Sequence, residues 1–296
     1  MSFKDMQLKK VEEIEAILKE YLPGKECEQA VIMEAMEYSL MAGGKRLRPM
    51  LMKETFELFG GTGKIVEPFM AALEMIHTYS LVHDDLPAMD NDEYRRGRKT
   101  THVVYGEAMG ILAGDGLLNY AFETAAEAFD LCPEISLQIG KALQVLAKKA
   151  GVFGMIGGQV IDVESAGKSI TKEVLDIIYE LKTGALIESA MMIGAILADA
   201  SLEEVETMEK IASNVGKAFQ IQDDVLDVTS TAEVLGKPIG SDEKNEKTTY
   251  VTLFGVETAK EYVESLSKEA IALLQSFEKQ NPFLEELLTK LIHRDK

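Results

Sequence analysis

Apolar residues recur at helical spacing along almost the whole chain, and this periodicity limits the possible folds more than any other feature. The clearest runs are Val11, Ile14, Ile17 and Leu18, then Val174, Ile177, Ile178 and Leu181, then Tyr262, Leu266, Ala270 and Leu273. The alternation of apolar and polar residues that is typical of β-strands is nearly absent. The sequence therefore predicts an all-α fold.

Turn-forming residues separate these periodic segments. They lie at Pro23-Gly24, Gly60 to Gly63, Pro87, Cys132-Pro133, Gly167, Ser201 and the stretch 229–248. Their spacing predicts about ten or more helices, many of them longer than the average in globular proteins. No Pro- or Ser-rich linker divides the chain, so we expect a single domain over residues 1–296, a large helical bundle around a central cavity. The stretch 229–248 is the one long loop, and loops of this length are usually functional or disordered.

The charge balance restricts the possible ligands. The chain has 296 residues, a net charge of −19 and 46% apolar residues, which is enough apolar content for a sizeable core. Nucleic acid is not an expected partner, because binding phosphates directly requires a basic footprint. A carboxylate about 4 Å from a phosphate oxygen would repel it by roughly 4 kcal/mol at an effective dielectric of ~20. An acidic cleft could therefore hold a diphosphate only with divalent cations between them.

Several features suit a cytoplasmic protein. Cys27 and Cys132 lie far apart without a CxxC spacing, which argues against a disulfide framework or a zinc site and fits a reducing compartment. The N-terminal segment has the pattern of an amphipathic helix rather than a signal or transit peptide. The longest apolar run, from Ser189 to Ala198, is much shorter than the roughly 20 residues of a membrane span, so no transmembrane segment is expected.

The segment QIQDDVLD carries an acidic triad. Gln220, Asp223, Asp224 and Asp227 fall on one side of a helix whose remaining residues are apolar. Carboxylates at this spacing repel one another, and no lysine is interleaved with them. A plain acidic surface stripe is one interpretation. The other is a magnesium site, because Mg²⁺ prefers oxygen ligands and commonly combines one or two carboxylates with substrate phosphates.

A second triad lies in HDDLPAMD. Pro87 should end the helix just after Asp84 and Asp85, and Asp90 follows after a short excursion. An acidic pair at the negative end of a helix dipole is unfavourable, and a bound cation would compensate it. Two triads facing each other across a helical bundle could hold one polyanion through shared cations.

Basic residues near these triads have both ordinary and functional explanations. His77 alone could be a satisfied core histidine, and the pair Arg95-Arg96 alone could be a surface dibasic pair. Next to a metal–diphosphate cluster, His77 and the two arginines would bind phosphate oxygens. Lys45, Arg46 and Arg48 in GGKRLRP either belong to a solvated helix start or form a local positive pocket.

Six segments in a fixed order resemble the signature of bacterial short-chain trans-isoprenyl diphosphate synthases, in the farnesyl/geranylgeranyl branch. They are GGKRLRP, HTYSLVHDDLPAMDNDEYRRG, GGQVIDVE, KTGALIESA, FQIQDDVLDV and LGKPIGSDEKNEKTTY, and they cover about Gly43 to Tyr250. The resemblance implies an all-helical isoprenoid synthase fold and a homodimer. It also implies magnesium, with three ions expected alongside an allylic diphosphate.

The resemblance assigns roles to individual residues. The metal-binding residues would be Asp84, Asp85, Asp90, Asp223, Asp224 and Asp227. The isopentenyl diphosphate pocket would contain Lys45, Arg48, His77 and Arg96. The allylic diphosphate would contact Arg95, Lys182, Thr183, Gln220, Lys237 and Lys247. Among these, Lys182, Thr183 and Gln220 are the expected catalytic residues, with the oxygens of Thr183 and Gln220 facing the developing allylic cation.

The implied reaction is the head-to-tail condensation of isopentenyl diphosphate with dimethylallyl or geranyl diphosphate. No protein general base is evident, and the resemblance suggests that the released pyrophosphate accepts the proton. Lys237 and Lys247 are expected on a loop that closes over the diphosphates and excludes water. Loss of turnover in a folded Lys237→Ala variant would support that closure.

Tyr79 and Ser80 are expected to set the product length. Tyr79 precedes Asp84 by five residues, which is roughly 7.5 Å along a helix. A chain growing down this helix would meet the tyrosine ring after about two isoprene units, whereas Ser80 leaves room above it. In the similar family an aromatic residue here accompanies farnesyl (C15) products, so we expect mainly farnesyl diphosphate. A tyrosine that only fills the core is the alternative.

Other functions remain open at this level. A geranylgeranyl diphosphate synthase would share the fold, and a terpene cyclase would share the fold and metal chemistry without needing GGKRLRP. A non-enzymatic alternative is a regulatory subunit of a heteromeric prenyl synthase, although such subunits usually lose aspartates and both triads here are complete. A calcium-binding EF-hand would need a DxDxDG loop, which the sequence lacks.

Overall fold

The computed structural model describes residues 2–229 and 248–292, and these are mostly helical. The α-helices are α1 (Phe3–Glu20), α2 (Ala30–Leu40), α3 (Leu47–Leu58), α4 (Glu67–Asp84), α5 (Thr101–Tyr105), α6 (Glu107–Ala126), α7 (Ala128–Leu131), α8 (Ser136–Ala150), α9 (Met155–Ser165), α10 (Lys172–Ile178), α11 (Ala185–Leu197), α12 (Leu202–Thr229), α13 (Tyr250–Phe254), α14 (Val256–Gln275) and α15 (Pro282–Ile292). A 3₁₀ turn spans Pro133–Ile135 and a π-helix spans Tyr179–Gly184. The predicted all-α fold is confirmed.

Helices α4 and α11 form the centre of the bundle. Helix α4 packs against α3 and α6, while α11 packs against α3, α8 and α12. Nearly every side chain of α11 is buried, so the longest apolar run of the sequence belongs to a core helix. Gly194 permits the contact of α11 with α3, because a Cβ there would lie 2.4 Å from the carbonyl oxygen of Met52. Within the described ranges, no helix has the length and apolar character needed to cross a membrane.

The helix ends agree with the predicted breaks. Helix α1 ends before Pro23-Gly24, α3 before the glycines at 60–63, and α4 at Asp84, three residues before Pro87. Helix α12 ends at Thr229, and most of the predicted long loop lies outside the described residues.

Two local elements were not predicted. Strands β1 (Tyr94–Arg95) and β2 (Arg98–Lys99) pair antiparallel in a short hairpin whose turn residues, Arg96 and Gly97, have φ angles of 54° and 74°. Two-residue strands are too short for an alternating pattern, and Arg-Gly is not the usual signal for such a turn. The π-helix also escaped prediction, because the apolar spacing around it continues that of an ordinary helix.

Candidate active site

Residues of both acidic triads line one cavity of about 590 Å³. Its walls come from α9, α10, the π-helix, α12 and the turn after α4. Of the residues that the sequence singled out, the lining contains Asp90, Lys182, Thr183, Gln220, Asp223 and Asp224. Acidic groups from the two distant triads therefore face one space together with a lysine and two oxygen-bearing side chains.

The first triad is folded back on itself at the end of α4. The amide of Asp90 donates to the carbonyl oxygen of Asp84 at 2.9 Å, which closes the excursion around Pro87. Burial raises the pKa of Asp84 to about 6; Lys182 opposes the shift and Asp90 adds to it. Gln159 on α9 donates to Oδ1 of Asp84 at 2.7 Å. A carboxylate with a raised pKa in this position would be stabilised in its charged form by a cation.

The carboxylate of Asp85 forms an ion pair with the guanidinium of Arg95. Asp85 caps α4, is 4% exposed, and accepts a hydrogen bond from Nε of Arg95 at 2.7 Å. Burial raises the pKa of Asp85, and Arg95 opposes that rise. Arg95 therefore lies beside the first triad, where it was expected, but it is ion-paired with Asp85 in this structure.

The second triad is more buried than an acidic surface stripe would be. Asp223 is half-buried, whereas Asp224 and Asp227 are 6% and 3% exposed. One oxygen of Asp224, Oδ2, accepts from the hydroxyl of Tyr179 at 2.6 Å and from the amide of Tyr250 at 2.9 Å. These contacts fix the orientation of Asp224 on α12.

The π-helix and α12 present the expected catalytic residues to the cavity. Thr183 donates from its hydroxyl to Oε1 of Gln220 at 2.5 Å, so the two side chains expected to face the allylic cation are in contact. Lys182 forms an ion pair with Asp162 of α9 at 2.6 Å. The π-helix approaches α12 closely, since a Cβ at Gly216 would lie 2.9 Å from Cα of Gly184. Lys182 and Thr183 of the π-helix both line the cavity, and π-bulges are frequent at functional sites.

Three residues of the site, Gln159, Asp162 and Tyr179, were missed by the sequence analysis. Gln159 and Asp162 lie three residues apart in GGQVIDVE, a segment quoted for the resemblance without a role for its side chains. That spacing puts both on one face of α9, which was the available signal. Tyr179 gave no such signal, because an apolar-periodic helix normally buries its tyrosines.

A cluster of cations surrounds His77 on α4, seven residues before Asp84. A nitrogen of Arg96 donates to the carbonyl oxygen of Gly43, so the hairpin touches the GGKRLRP segment. Burial lowers the pKa of Arg48 to about 10, and its Nε is buried without a hydrogen-bond partner in the described chain. Burial, with Arg48 and then Arg96 adding to it, holds the pKa of His77 well below its usual value. The cluster therefore combines crowded cations with a neutral imidazole and an unsatisfied buried donor, which an anion would complete.

Lys45 and Arg46 do not join this cluster in the same way. Lys45 is exposed and lines a separate groove with residues of α1 and α15, including Phe3 and Leu287. The sequence left open whether Lys45, Arg46 and Arg48 belong to a solvated helix start or to a positive pocket, and Arg46 is not solvated. Arg46 has a φ of 48°, and its side chain is 2% exposed and donates to Glu74 at 2.9 Å and to the carbonyl oxygen of Leu40 at 2.8 Å.

Tyr79 and Ser80 lie on α4 outside the lining of the 590 Å³ cavity. Tyr79 is 5% exposed, its ring meets that of His83 edge-on at 5.8 Å, and its hydroxyl is buried without a hydrogen-bond partner in the described residues. Ser80 donates to the carbonyl oxygen of His77 at 2.8 Å. Lys237 and Lys247, the remaining residues assigned to the allylic diphosphate, lie outside the described residues.

The donor set suits magnesium in its chemistry. In the described ranges, no group of three or more His, Cys, Asp or Glu side chains is arranged so that it could hold a metal ion by itself. Magnesium does not require such a cage, because it usually takes one or two carboxylates and completes its shell with water and substrate phosphates. Carboxylates on both sides of one cavity fit that habit.

The family model described as "Polyprenyl synthetase" matches residues 29–289 of the chain. A geranylgeranyl diphosphate synthase of Cyanophora paradoxa is 50% identical over 240 residues, covering 81% of this chain and 79% of the relative. A farnesyl diphosphate synthase of Micrococcus luteus is 42% identical over 282 residues, covering 95% and 94%.

Solved structures show the same fold. An apo FPP/GFPP synthase from Zymomonas mobilis superposes with a TM-score of 0.86 at 32% identity, covering 98% of both chains. The predicted isoprenoid synthase fold is thereby confirmed. The names of the relatives divide between farnesyl and geranylgeranyl products, so the product has to be argued from the site.

Proposed function

The chain belongs to the polyprenyl synthetase family and is a trans-prenyltransferase, and from this premise we propose that its main product is farnesyl diphosphate. It condenses isopentenyl diphosphate head to tail with dimethylallyl and then geranyl diphosphate. The observation that supports the condensation is the shared cavity, which is lined by Asp90 and Asp223 of the two triads together with Lys182 and Thr183. The C15 length is proposed from Tyr79, which is buried on α4.

The allylic diphosphate would lie between the triads. Members of this family use Mg²⁺, and we propose three ions held by the two triads, which would supply Lewis-acid stabilisation of the departing diphosphate. Lys182 would exchange its ion pair with Asp162 for a phosphate oxygen as the C–O bond breaks. The hydroxyl of Thr183 and the amide oxygen of Gln220 would stabilise the allylic cation as fixed dipoles. Arg95 would leave Asp85 to contact the same diphosphate.

Isopentenyl diphosphate would bind at the cation cluster. Arg48, whose buried Nε needs an acceptor, would bind a phosphate oxygen together with Arg96, and Lys45 would have to turn from its separate groove to join them. His77 has a pKa well below its usual value because of burial and the surrounding arginines, so it would donate as a neutral imidazole. No side chain of the described residues is assigned as a general base, so the released pyrophosphate would take the proton from the condensation product.

Activity should depend wholly on magnesium. Incubating the chain alone with labelled isopentenyl diphosphate and each primer should give prenyl products, EDTA should abolish them, and excess Mg²⁺ should restore them. Products are sized by chromatography after dephosphorylation. If the chain alone made no product under any of these conditions, a regulatory subunit of a heteromeric synthase would be the better explanation.

Replacing Tyr79 by alanine should lengthen the product from C15 towards C20. The buried ring lies five residues before Asp84, roughly 7.5 Å along α4, which is the depth we propose for a second isoprene unit, and its removal opens space along α4. The measurement is the ratio of C20 to C15 products, which should rise at least tenfold. The control is Tyr21→Ala, since Tyr21 is a half-buried tyrosine near Glu67 at the opposite end of α4. An unchanged C15 product in the Tyr79 variant would locate the floor of the cavity elsewhere, and a C20 product from the wild type would favour geranylgeranyl diphosphate synthase.

We also propose that residues 1–296 form one polyprenyl synthase domain, that the protein is a homodimer and that it works in the cytoplasm. The ends of the chain pack together, with the rings of Phe3 and Phe283 stacked at 5.0 Å. Val104, Ile111 and Leu112 leave apolar surface exposed on α5 and α6, which a second copy could cover. Neither cysteine is paired in a disulfide, which suits a reducing compartment. Light scattering of the purified chain tests the dimer.

A further inference from the structure

We propose that Tyr179 is a positioning residue for the second aspartate triad: it orients Asp224 and connects it to the π-helix that carries Lys182 and Thr183. The proposal rests on the proposed function, because it concerns how that site is held in shape. Tyr179 is the first residue of the π-helix, 8% exposed, and its hydroxyl donates to Oδ2 of Asp224 at 2.6 Å.

Asp224 is also held from a second direction. The same oxygen accepts the amide of Tyr250 at 2.9 Å, at the point where the described chain has resumed after residue 247. Tyr250 is fully buried, and its ring stacks on that of Tyr179 with centroids 5.9 Å apart. One carboxylate oxygen therefore connects α12, the π-helix and the first turn of α13.

The far end of Tyr250 is fixed by an ionic cluster. Its hydroxyl donates to Oδ1 of Asp176 on α10. The other oxygen of Asp176 accepts from Lys172 at 2.6 Å and from Lys217 at 2.8 Å. Lys217 lies on α12, two turns before Asp224, so the contacts form a closed circuit that begins and ends on α12. A circuit of this kind restrains the rotamer of Asp224 more strongly than a single hydrogen bond would.

This arrangement predicts a specific defect when the phenol is lost. Without the Tyr179 hydroxyl, Asp224 loses one of the two donors to Oδ2 that the described residues supply and can rotate within the triad, while the ring still fills its place. Groups that orient metal-binding side chains typically change metal affinity or activity by about 10- to 100-fold when removed. The residues of the isopentenyl diphosphate cluster lie on α3, on α4 and in the hairpin, and not on α12, the π-helix or α13, so we expect that cluster to be unaffected.

The test compares Tyr179→Phe with Tyr262→Phe, a matched loss of a hydroxyl. Tyr262 packs against Tyr250 in the same ring cluster, with centroids 5.3 Å apart. The hydroxyl that donates to Asp224 is that of Tyr179, not that of Tyr262. Two measurements are made on each folded variant. The first is the Mg²⁺ concentration that gives half of the thermal stabilisation by inorganic pyrophosphate, which needs no turnover. The second is the KM for geranyl diphosphate against the KM for isopentenyl diphosphate.

For Tyr179→Phe we expect the half-saturating Mg²⁺ concentration and the KM for geranyl diphosphate to rise about tenfold. The KM for isopentenyl diphosphate and the melting temperature without ligands should stay near the wild-type values. Tyr262→Phe should resemble the wild type in every measurement. The proposal is overturned if Tyr179→Phe stays within twofold of wild type for Mg²⁺, or if both variants shift equally. A wild-type protein without prenyltransferase activity would instead contradict the proposed function, while the pyrophosphate measurement would still decide the role of Tyr179.

Discussion

Replacing Asp223 by alanine should lower kcat for farnesyl diphosphate formation by about a thousandfold, which corresponds to roughly 4 kcal/mol of lost transition-state stabilisation. Asp223 is the half-buried member of the second triad, and its carboxylate lines the cavity next to Gln220 and opposite Asp90. Its oxygens are therefore placed to bind a cation that the departing diphosphate shares. Removing that ligand weakens the neutralisation of charge when the C–O bond breaks, which is when it matters most.

The measurement is steady-state turnover at saturating substrates over a range of Mg²⁺ concentrations. Asp130→Ala is the matched control, because Asp130 is an exposed aspartate on α7, far from either triad in the sequence and absent from the cavity lining. It should retain wild-type activity. A loss smaller than tenfold in Asp223→Ala would mean that the second triad does not hold the metal during the rate-limiting step.

Replacing Arg46 by methionine should lower the melting temperature by roughly 10 °C. The guanidinium lies at the centre of a buried contact set, with Glu74 at 2.9 Å and Glu15 at 3.3 Å, and Glu74 is itself 3% exposed. Breaking a buried pair from one side costs about 3–5 kcal/mol, because the remaining charge stays uncompensated. Nearby Arg48 and Arg96 partly compensate Glu74, so we expect the lower end, about 3 kcal/mol. In a domain of this size each kcal/mol shifts the melting temperature by roughly 2–4 °C.

Arg98→Met serves as the control, since Arg98 is exposed and only covers the ring of Tyr38 at 4.4 Å. Differential scanning calorimetry of both variants gives the comparison. A double variant, Arg46→Met with Glu74→Leu, should recover part of the loss, because it removes the stranded charge together with its partner. A melting temperature within 2 °C of wild type in Arg46→Met would show that Arg46 carries no structural role.

The sequence alone was sufficient for the helices and for the existence of two triads. A helical period and turn residues such as Pro87 are local properties, and they gave the end of α4 at Asp84 and the shared face of α12 without knowledge of the packing. The same locality explains why Gln220 and Asp223 could be placed on one side of one helix. Each of these features depends on neighbours within a few residues.

What only the tertiary structure decided depends on neighbours that are distant in sequence. Arg46 points into the core rather than the pocket because Glu74 and the carbonyl oxygen of Leu40 lie there, whereas the composition of GGKRLRP is the same in either case. The contact of Thr183 with Gln220 joins the π-helix to α12, and these two elements lie close together at Gly184 and Gly216. The sequence showed the aspartate triads as patterns of charge. Only the packing of helices from both halves of the chain brings the triads to one cavity and places the Tyr179 hydroxyl against Asp224. Charge and helical periodicity can be read from the sequence alone. The direction of a buried polar side chain depends on the partner that forms its hydrogen bonds, and that partner is often distant in sequence.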